Sequence, residues 1–204
     1  MDTIIHKAVL IGDSAVGKTS IVNQYIFNSC SPEHQATIGI NFFTKILTEG
    51  NTNIKLQIWD TAGQEKFHSL IPSYIRNSTV AILVYDITSR ISFENLQKWH
   101  QIVINSSNPA CIVVGNKLDL ESERQIAYEE GQKFASQIKA SFIETSARTP
   151  SNIQELFSQV AAIPIAAQNE EVKKPGAKEE DQTIVVTIDV PNQNQNENKK
   201  GCSC

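Results

Sequence analysis

Cysteine, basic clusters and long apolar runs are all scarce in this sequence, and each shortage argues against a class of protein. Only 4 of the 204 residues are cysteine, none is spaced with histidine as in a zinc site, and no secretory signal is recognisable, which indicates a reducing cytosolic setting. No apolar run approaches the roughly 20 residues of a membrane-spanning helix, so membrane contact would need another route. The 18 basic and 22 acidic residues leave a net charge of −4 without a long basic block, which argues against a nucleic-acid partner.

What the chain does have is enough apolar sequence for one domain of ordinary size. Hydrophobic residues make up 40% of the total, which suffices to bury a core. We expect a globular domain over residues 1–165 and a flexible, hypervariable tail over 166–204, because the sequence after Pro164 is charged and then rich in asparagine and glutamine. Within that tail, the apolar segment 183–188 could form a seventh strand or dock onto a partner, and its polar surroundings favour docking.

Apolar runs alternate with helical patterns along the domain. Strands are predicted at residues 4–11, 38–47, 54–59, 80–85, 110–114 and 141–144, and helices at 18–27, 66–76, 92–105, 126–138 and 153–162. A tight turn at 49–52 predicts an antiparallel hairpin. The predicted fold class is therefore α/β, with a six-stranded, mostly parallel sheet, one antiparallel hairpin strand and about five flanking helices. Ligands of such sheets lie beyond the carboxyl ends of the strands.

A glycine-rich motif follows the first predicted strand and opens the first predicted helix. It reads Gly12-Asp13-Ser14-Ala15-Val16-Gly17-Lys18-Thr19. Backbone N–H groups of such a loop and the N-terminus of the helix together bind phosphate. In this pattern Lys18 reaches the outer phosphates and the Thr19 hydroxyl can ligate Mg²⁺. A simple glycine-rich turn is the alternative, and the flanking strand and helix favour the phosphate loop.

The end of the third predicted strand carries a motif that complements this loop. Asp60 can hold Mg²⁺ directly or through water, and Gly63 can present its N–H to a terminal phosphate. Gln64 stands where an attacking water would need to be oriented. A polar loop after a strand is the alternative interpretation.

Two later strand ends carry residues suited to a guanine base. Asp119, in the run Asn116-Lys117-Leu118-Asp119, can accept hydrogen bonds from guanine N1 and N2, a donor pair that adenine lacks. Asn116 would fix neighbouring loops, and the stem of Lys117 could lie along the purine face. After the sixth strand, Ser146-Ala147 could offer a backbone N–H to the base carbonyl. Either run by itself could be an ordinary loop, so the order and spacing of all four motifs carry the interpretation.

With these motifs in this order, each directly after a strand, the chain resembles the Ras-like small GTPases over about residues 4–165, and within them the Rab family. Rab-type sequence stands at residues 38–42, 55–67, 74–76 and 83–88. The stretch 69–80 is most similar to the sixth Rab subfamily, which is associated with Golgi traffic.

The resemblance implies a Ras-like fold and a set of site residues. It assigns nucleotide binding to Asp13, Ser14, Ala15, Val16, Gly17, Lys18, Thr19, Ser20, Thr37, Gly63, Asn116, Lys117, Asp119, Ser146, Ala147 and Arg148. It assigns Mg²⁺ to Thr19, Thr37 and, through water, Asp60, and the orientation of the attacking water to Gln64. Effectors would contact Ile38, Gly39, Phe42, Trp59 and Tyr74.

The implied function is a switch that alternates between GDP-bound and GTP-bound states, recruits effectors and regulates vesicle traffic, with Mg²⁺ as cofactor. Slow hydrolysis of GTP to GDP and phosphate would be accelerated by an activating protein. The implied partners are that protein, a guanine-nucleotide exchange factor, effectors, a prenylation escort protein and a GDP-dissociation inhibitor, and a monomer is expected. The last two could grip the segment 183–188.

The Cys-x-Cys arrangement of Cys202 and Cys204 resembles Rab endings that receive two geranylgeranyl groups. Two lipid chains matter because one alone binds a membrane only marginally. The resemblance thus predicts a place on the cytosolic face of endomembranes, at the Golgi or on transport vesicles, with cycling through the cytosol.

Two positions depart from the family pattern. Cys30 replaces a phenylalanine that packs against the guanine, and His34 replaces a tyrosine over the phosphates. Because a thiol covers far less of a purine than a phenyl ring does, Cys30 predicts weaker nucleotide retention, whereas His34 bears on closure of the lid over the phosphates. They also keep open a membrane-tethered scaffold with degenerate switching. A P-loop ATPase or nucleoside kinase is the other alternative, since it would share the phosphate loop.

Overall fold

The computed structural model describes residues 2–29, 40–49, 52–61, 70–164 and 184–188. Within these residues the strands are β1 (Asp2–Ile11), β2 (Ile40–Glu49), β3 (Thr52–Thr61), β4 (Val80–Asp86), β5 (Ala110–Asn116), β6 (Ser141–Thr145) and β7 (Ile184–Ile188). The α-helices are α1 (Lys18–Phe27), α2 (Ile71–Ile75), α3 (Arg90–Glu94), α4 (Leu96–Ser106), α5 (Tyr128–Gln137) and α6 (Ile153–Ala162), and a 3₁₀ helix spans Leu118–Glu123.

The strands form one sheet in the order β6-β5-β4-β1-β3-β2-β7. Pairing is parallel from β6 to β3, and β2 runs antiparallel to β3 as the predicted hairpin. The predicted α/β class and the six-stranded, mostly parallel sheet with flanking helices are therefore confirmed. The expected helix over 92–105 is two helices that meet at Asn95, and of the helix expected over 66–76 the described part is α2.

The core lies in two layers, one on each face of the sheet, as strand geometry requires. Along β4, Val80, Ile82 and Val84 point to the layer that contains α1 and α6, while alternate residues point to the layer that contains α2, α4 and α5. All seven residues of β4 are buried, which is typical of a parallel strand covered on both faces.

The structure corrects the preference for docking at residues 183–188. Residues 184–188 join the sheet as β7, antiparallel to the first half of β2. The prediction was based on the polar composition of the tail as a whole. Every residue of β7 itself is β-branched and suited to a strand. The boundary predicted near residue 165 stays a prediction, since 165–183 lie outside the described residues.

Among the described residues, no helix has both the length and the apolar character needed to cross a bilayer.

Candidate functional site

The polar motifs meet because the parallel strands end at one edge of the sheet. Leu10 near the end of β1 pairs with Asp60 in β3. At the other side of β1, Asp86 ends β4 beside Asn116 of β5, and Asn116 pairs in turn with Thr145 of β6. The register therefore places the four predicted motifs side by side beyond the carboxyl ends of the strands, where ligands of such sheets bind.

The phosphate loop needs glycine at both of its ends. Gly12 has φ 150° and Gly17 has φ 97°, values that favour glycine. A β-carbon on Gly12 would lie 2.2 Å from the carbonyl oxygen of Val84, and one on Gly17 would lie 2.2 Å from Nδ2 of Asn116. Gly17 is also the N-cap of α1 and makes no side-chain cap, so the N–H groups of the first turn have no capping side chain. These groups and the positive end of the helix face the loop.

The Lys18 side chain is buried against the loop that it follows. Lys18 is only 5% exposed. Its Nζ donates hydrogen bonds to the carbonyl oxygens of Gly12 at 2.9 Å and Asp13 at 2.6 Å. Burial lowers the pKa of Lys18 to about 8, although the charges of Asp60 and Asp13 act in the opposite direction. An anion beside Nζ would restore the ordinary pKa, so the loop holds a cationic group that gains from a phosphate.

Thr19 and Asp60 form a second polar centre next to the loop. The Thr19 hydroxyl donates to Oδ2 of Asp60 at 2.7 Å, and Asn41 Nδ2 lies 3.5 Å from the same oxygen. Asp60 is fully buried, and among the described residues its Oδ1 has no hydrogen-bond partner. Burial raises the pKa of Asp60 to about 6, because its contacts with Thr19, Lys18 and Asn41 only partly compensate for lost hydration.

These residues fit a magnesium ion. An unpartnered buried carboxylate oxygen and a neighbouring hydroxyl are hard oxygen donors, and Mg²⁺ in phosphate sites is held by one or two such groups together with phosphate and water. The part of the chain that the structure describes contains no cluster of three or more histidine, cysteine or acidic residues that could hold a metal. A magnesium site completed by phosphate is consistent with that finding, because it needs no such cluster.

Asn116 joins the phosphate loop to the neighbouring strand ends. Its Nδ2 donates to the carbonyl oxygen of Val16 at 2.8 Å, and its Oδ1 accepts from the Thr145 hydroxyl at 3.1 Å. The residue is 2% exposed, so its amide is used internally. Asn116 therefore fixes the distance between the phosphate loop and the loops that follow β5 and β6.

The two predicted base-binding runs contact one another. The Ser146 hydroxyl donates to Oδ1 of Asp119 at 2.6 Å and also accepts from the backbone N–H of Thr149. Ser146 and Ala147 are buried, whereas Arg148 is exposed. The hydroxyl thus orients the Asp119 carboxylate, which is only partly buried and is suited to accept from a paired set of donors.

Lys117 is held in an uncommon backbone conformation with its side chain anchored. Its φ is 70°, and Nζ lies 2.6 Å from Oδ2 of Asp86. The other oxygen of Asp86 accepts from the backbone N–H and the hydroxyl of Thr88. Asp86 therefore positions Lys117. We did not predict this role from the sequence, although the place of Asp86 at the end of β4 could have indicated it.

Asn95 and Trp99 are two further residues that the sequence motifs did not indicate. Both donate to the carboxylate of Asp13, at 2.7 Å each. They lie in and just before α4, far along the chain from the phosphate loop, and carry no recognisable binding motif. The signal in the sequence was the tryptophan itself, because a buried indole N–H usually finds a hydrogen-bond acceptor.

Three aromatic residues predicted to contact effectors do come together. The Phe42 and Trp59 ring centroids lie 5.1 Å apart at an interplanar angle of 64°, and the Trp59 and Tyr74 centroids lie 6.1 Å apart at 26°. Lys7 Nζ lies 4.8 Å from the centroid of Trp59. The rings form a continuous aromatic row across β2, β3 and α2.

Several predicted site residues lie outside the described residues and stay predictions. They are Cys30, His34, Thr37, Ile38, Gly39, Gly63, Gln64, Cys202 and Cys204.

The family model described as "Ras family" matches residues 7–164, which is most of the chain. The chain belongs to the Ras family. As a Ras-family member it is a small GTPase, and proteins of this kind bind GTP and GDP, typically with Mg²⁺, and hydrolyse GTP. The matched region contains every described residue of the phosphate loop, the Thr19 and Asp60 centre and the Asp119 and Ser146 contact.

Proposed function

We propose that this small GTPase is a Rab-type switch that cycles between GDP-bound and GTP-bound states and recruits effectors in vesicle traffic, in a Golgi-related step. One observation carries the nucleotide part of the proposal. Asn116 links the phosphate loop, through Val16, to the strand end that precedes Ser146, and Ser146 in turn orients Asp119. Groups suited to phosphate and groups suited to guanine are thereby held at a fixed separation.

In this proposal each described residue has a distinct task. Lys18 and the N-terminal N–H groups of α1 bind the outer phosphates, as they do in phosphate loops generally. Asp119 accepts from guanine N1 and N2, and the Ala147 N–H donates to the base carbonyl. The anchored Lys117 lies along the purine.

Thr19 and Thr37 would hold Mg²⁺, and Asp60 would hold it through water. The ion, when bound, supplies electrostatic stabilisation of the charge that develops on the phosphate oxygens. Gln64 orients the attacking water, and Gly63 presents its N–H to the terminal phosphate. The conformation of the residues around Gly63 and Gln64 thereby depends on whether that phosphate is bound.

The Rab assignment rests on sequence resemblance, and the aromatic row supports it. Phe42, Trp59 and Tyr74 match the family's apolar triad between the switch regions, and they lie in contact. Effectors would contact this row together with Ile38 and Gly39. Two prenyl groups on Cys202 and Cys204 would attach the protein to the cytosolic face of an endomembrane, with an escort protein and a GDP-dissociation inhibitor handling the lipids.

Base selectivity tests the nucleotide assignment. Replacement of Asp119 by asparagine exchanges an acceptor for a donor, so Asp119→Asn should lose guanine nucleotides and gain xanthosine diphosphate, which carries a carbonyl in place of the guanine amino group. The matched control is Glu123→Gln, an isosteric change at an exposed residue of the same 3₁₀ helix, and it should keep wild-type affinity for GDP. Competition with unlabelled nucleotides against a fluorescent GDP measures both. Preference for ATP in the wild type would instead favour an ATPase or kinase.

The switch and its membrane address need separate measurements. Gln64→Leu should slow GTP hydrolysis while it leaves GDP binding unchanged, and an unchanged rate would favour the scaffold with degenerate switching. A tagged chain should lose its membrane location when Cys202 and Cys204 are both replaced by serine. An unaltered location would refute the lipid anchor without affecting the nucleotide assignment.

A further inference from the structure

The outer edge of β2 is covered over half of its length by a segment from the tail. All ten residues of β2 pair with β3. On its other side β2 pairs with β7 only from Ile40, opposite Ile188, to Thr44, opposite Ile184. No described residue pairs with that side of β2 beyond Thr44, so the cover is confined to one end of the strand.

The covered half of β2 lacks the charged residues and proline that protect many sheet edges. Residues 40–44 read Ile-Asn-Phe-Phe-Thr, with no charge and no proline, whereas the remaining half contains Lys45 and Glu49. Exposed edges usually carry charge or proline, because unpaired N–H and C=O groups otherwise recruit another strand. The half of β2 that lacks such protection is therefore the half that β7 covers.

The covering segment is an island of strand-forming sequence. All five residues of β7, Ile184–Ile188, are β-branched, and such residues favour extended backbone. Around it stand acidic residues, a proline and the asparagine and glutamine run, with Asp181, Asp189 and Pro191 nearest. The strand character thus ends close to the limits of the pairing.

The covered stretch is also the part of β2 that adjoins the aromatic row. Phe42 pairs with Val186 on one side and with Trp59 on the other. Any partner that adds a strand to this end of β2 must first take the place of β7, because the backbone groups on that edge can bond only one strand at a time.

We propose that the edge of β2 at residues 40–44 is a strand-acceptor surface which the chain's own segment 184–188 occupies in cis. The partner chemistry that fits this surface is an extended, β-branched peptide segment, and it binds only when β7 leaves. The tail thereby competes with partners at the same edge that leads to the aromatic row.

Chain length is compatible with occupancy in cis. Residues 165–183 connect the end of the domain to β7, and at about 3.3 Å per residue they reach at most about 60 Å, so the connection is long enough to cross a domain of this size. A tethered segment has an effective concentration on the order of millimolar. A free peptide must compete against that concentration, which sets the size of the expected effect.

Amide hydrogen exchange tests the pairing in the full-length chain. Val185→Pro together with Val186→Pro removes two successive N–H groups, one of which faces β2 whatever the hydrogen-bond phase. Exchange should accelerate at residues 40–44 and stay unchanged at 45–49. The matched control is Asn194→Pro together with Gln195→Pro, which places the same two prolines outside the strand. Equal exchange at 40–44 in the two double variants would overturn the proposal.

Peptide binding tests the acceptor function. The probe is a fluorescein-labelled synthetic peptide with the sequence of residues 182–189, and its own double-proline version is the negative probe. Binding to the Val185→Pro, Val186→Pro chain should be tighter than to the wild type by about tenfold or more, since a site occupied nine-tenths of the time loses that factor in apparent affinity. Equal affinity for wild type and variant, or no binding to either, would overturn the proposal.

Light scattering distinguishes cis from trans occupancy. The wild type should be monomeric. A wild-type dimer that disappears in the Val185→Pro, Val186→Pro variant would show that β7 is exchanged between two copies and would overturn occupancy in cis. None of these readouts depends on GTP hydrolysis or on base selectivity. A failure here therefore leaves the proposed switch intact, and loss of the switch leaves the acceptor surface intact.

Discussion

The indole N–H of Trp99 donates a hydrogen bond to Oδ1 of Asp13 at 2.7 Å, which ties α4 to the phosphate loop. Asn95 Nδ2 donates to the other oxygen of the same carboxylate, also at 2.7 Å. Trp99 is 2% exposed, so this contact lies at the boundary of the core. Both oxygens of Asp13 are thus held by α4 and its N-cap, while the backbone carbonyl of Asp13 accepts from Lys18. The Asp13 side chain therefore ties the loop to α4, while its backbone carbonyl ties the loop to Lys18.

Trp99→Phe should loosen the tie between α4 and the loop. The phenyl ring retains most of the buried apolar surface, but it leaves Oδ1 of Asp13 without its donor. A lost partner of a charged group costs about 1–3 kcal/mol in unfolding free energy. We expect urea unfolding to show this decrease in unfolding free energy. Release of a fluorescent GDP should become faster by up to about tenfold.

Gln101→Ala is the control for that experiment, because Gln101 is exposed on the same helix and bonds only to Asn105 among the side chains described. It should change neither measurement appreciably. If Trp99→Phe released GDP at the wild-type rate in spite of its lower stability, the contact would support the fold without bracing the loop.

Ala15 occupies a backbone conformation that costs free energy for any residue with a β-carbon. Its φ is 62°, and its side chain is exposed within the phosphate loop. Left-handed backbone costs a non-glycine residue roughly 1–2 kcal/mol. Glycine removes this cost, but its larger conformational entropy in the unfolded chain offsets part of the resulting stabilisation. Ala15→Gly should therefore raise the unfolding free energy by about 0.5–1 kcal/mol, measured by denaturant unfolding at a fixed GDP concentration.

The same exchange in a helix should have the opposite sign. Ala162→Gly alters an exposed position at the end of α6 and should lower the unfolding free energy by up to about 1 kcal/mol. If Ala15→Gly were also destabilising, the left-handed backbone at Ala15 would not be a source of strain.

The centre of the sheet could be predicted because its strands are buried on both faces. Runs such as β4, with seven buried residues, are visible as apolar stretches in the sequence, and the turn at 49–52 indicated the hairpin. The seventh strand was only the less favoured alternative, because pairing with β2 depends on an edge left open by the rest of the fold. The β-branched run in the tail favours a strand but contains no information about that edge.

The site was predicted only as far as its motifs extend. Residues of phosphate-binding and base-binding motifs have fixed local spacing, so the sequence alone could indicate Lys18, Thr19 and Asp119. The residues that hold them in place, such as Asp86 and Trp99, are defined by register and packing between distant segments. Their roles follow from the pairing of Asp86 with Asn116 in the sheet and from the hydrogen bond of Trp99 to Asp13.

The ion pair of Asp86 and Lys117 should contribute to both stability and nucleotide retention. Its side chains are 9% and 24% exposed, and the atoms lie 2.6 Å apart. Asp86→Asn keeps the shape but leaves a mostly buried ammonium unpaired, which should cost about 1–3 kcal/mol of unfolding free energy and accelerate GDP release.

Glu121→Gln is the isosteric control, because it breaks an ion pair with Arg124 in which the Glu121 side chain is 63% exposed. Exposed pairs contribute about 0–1 kcal/mol, so this variant should behave nearly as the wild type. A similar loss in both variants would show that burial does not decide the strength of the Asp86 pair.

The lowered pKa of Lys18 should make nucleotide binding consume protons at alkaline pH. With a pKa of about 8 in the ligand-free protein, about half of the Lys18 side chains are neutral at pH 8 and about one tenth at pH 7. Phosphate beside Nζ favours the ammonium form. Binding of GDP at pH 8 should therefore take up about half a proton, and binding at pH 7 much less.

Titration calorimetry in two buffers of different ionisation enthalpy measures that uptake on nucleotide-free protein. Lys7→Gln is the control, because Lys7 also has a pKa lowered by burial but donates to the backbone carbonyl oxygen of Arg76 instead of the loop. It should leave the uptake unchanged. The same lowered pKa of Lys18 predicts that the unfolding free energy of the nucleotide-free protein rises with pH between pH 8 and 10.5. In that range Lys18 is protonated in the unfolded chain and neutral in the folded protein. Proton uptake that is equal at pH 7 and pH 8 would contradict burial of an uncompensated Lys18 beneath the phosphate loop.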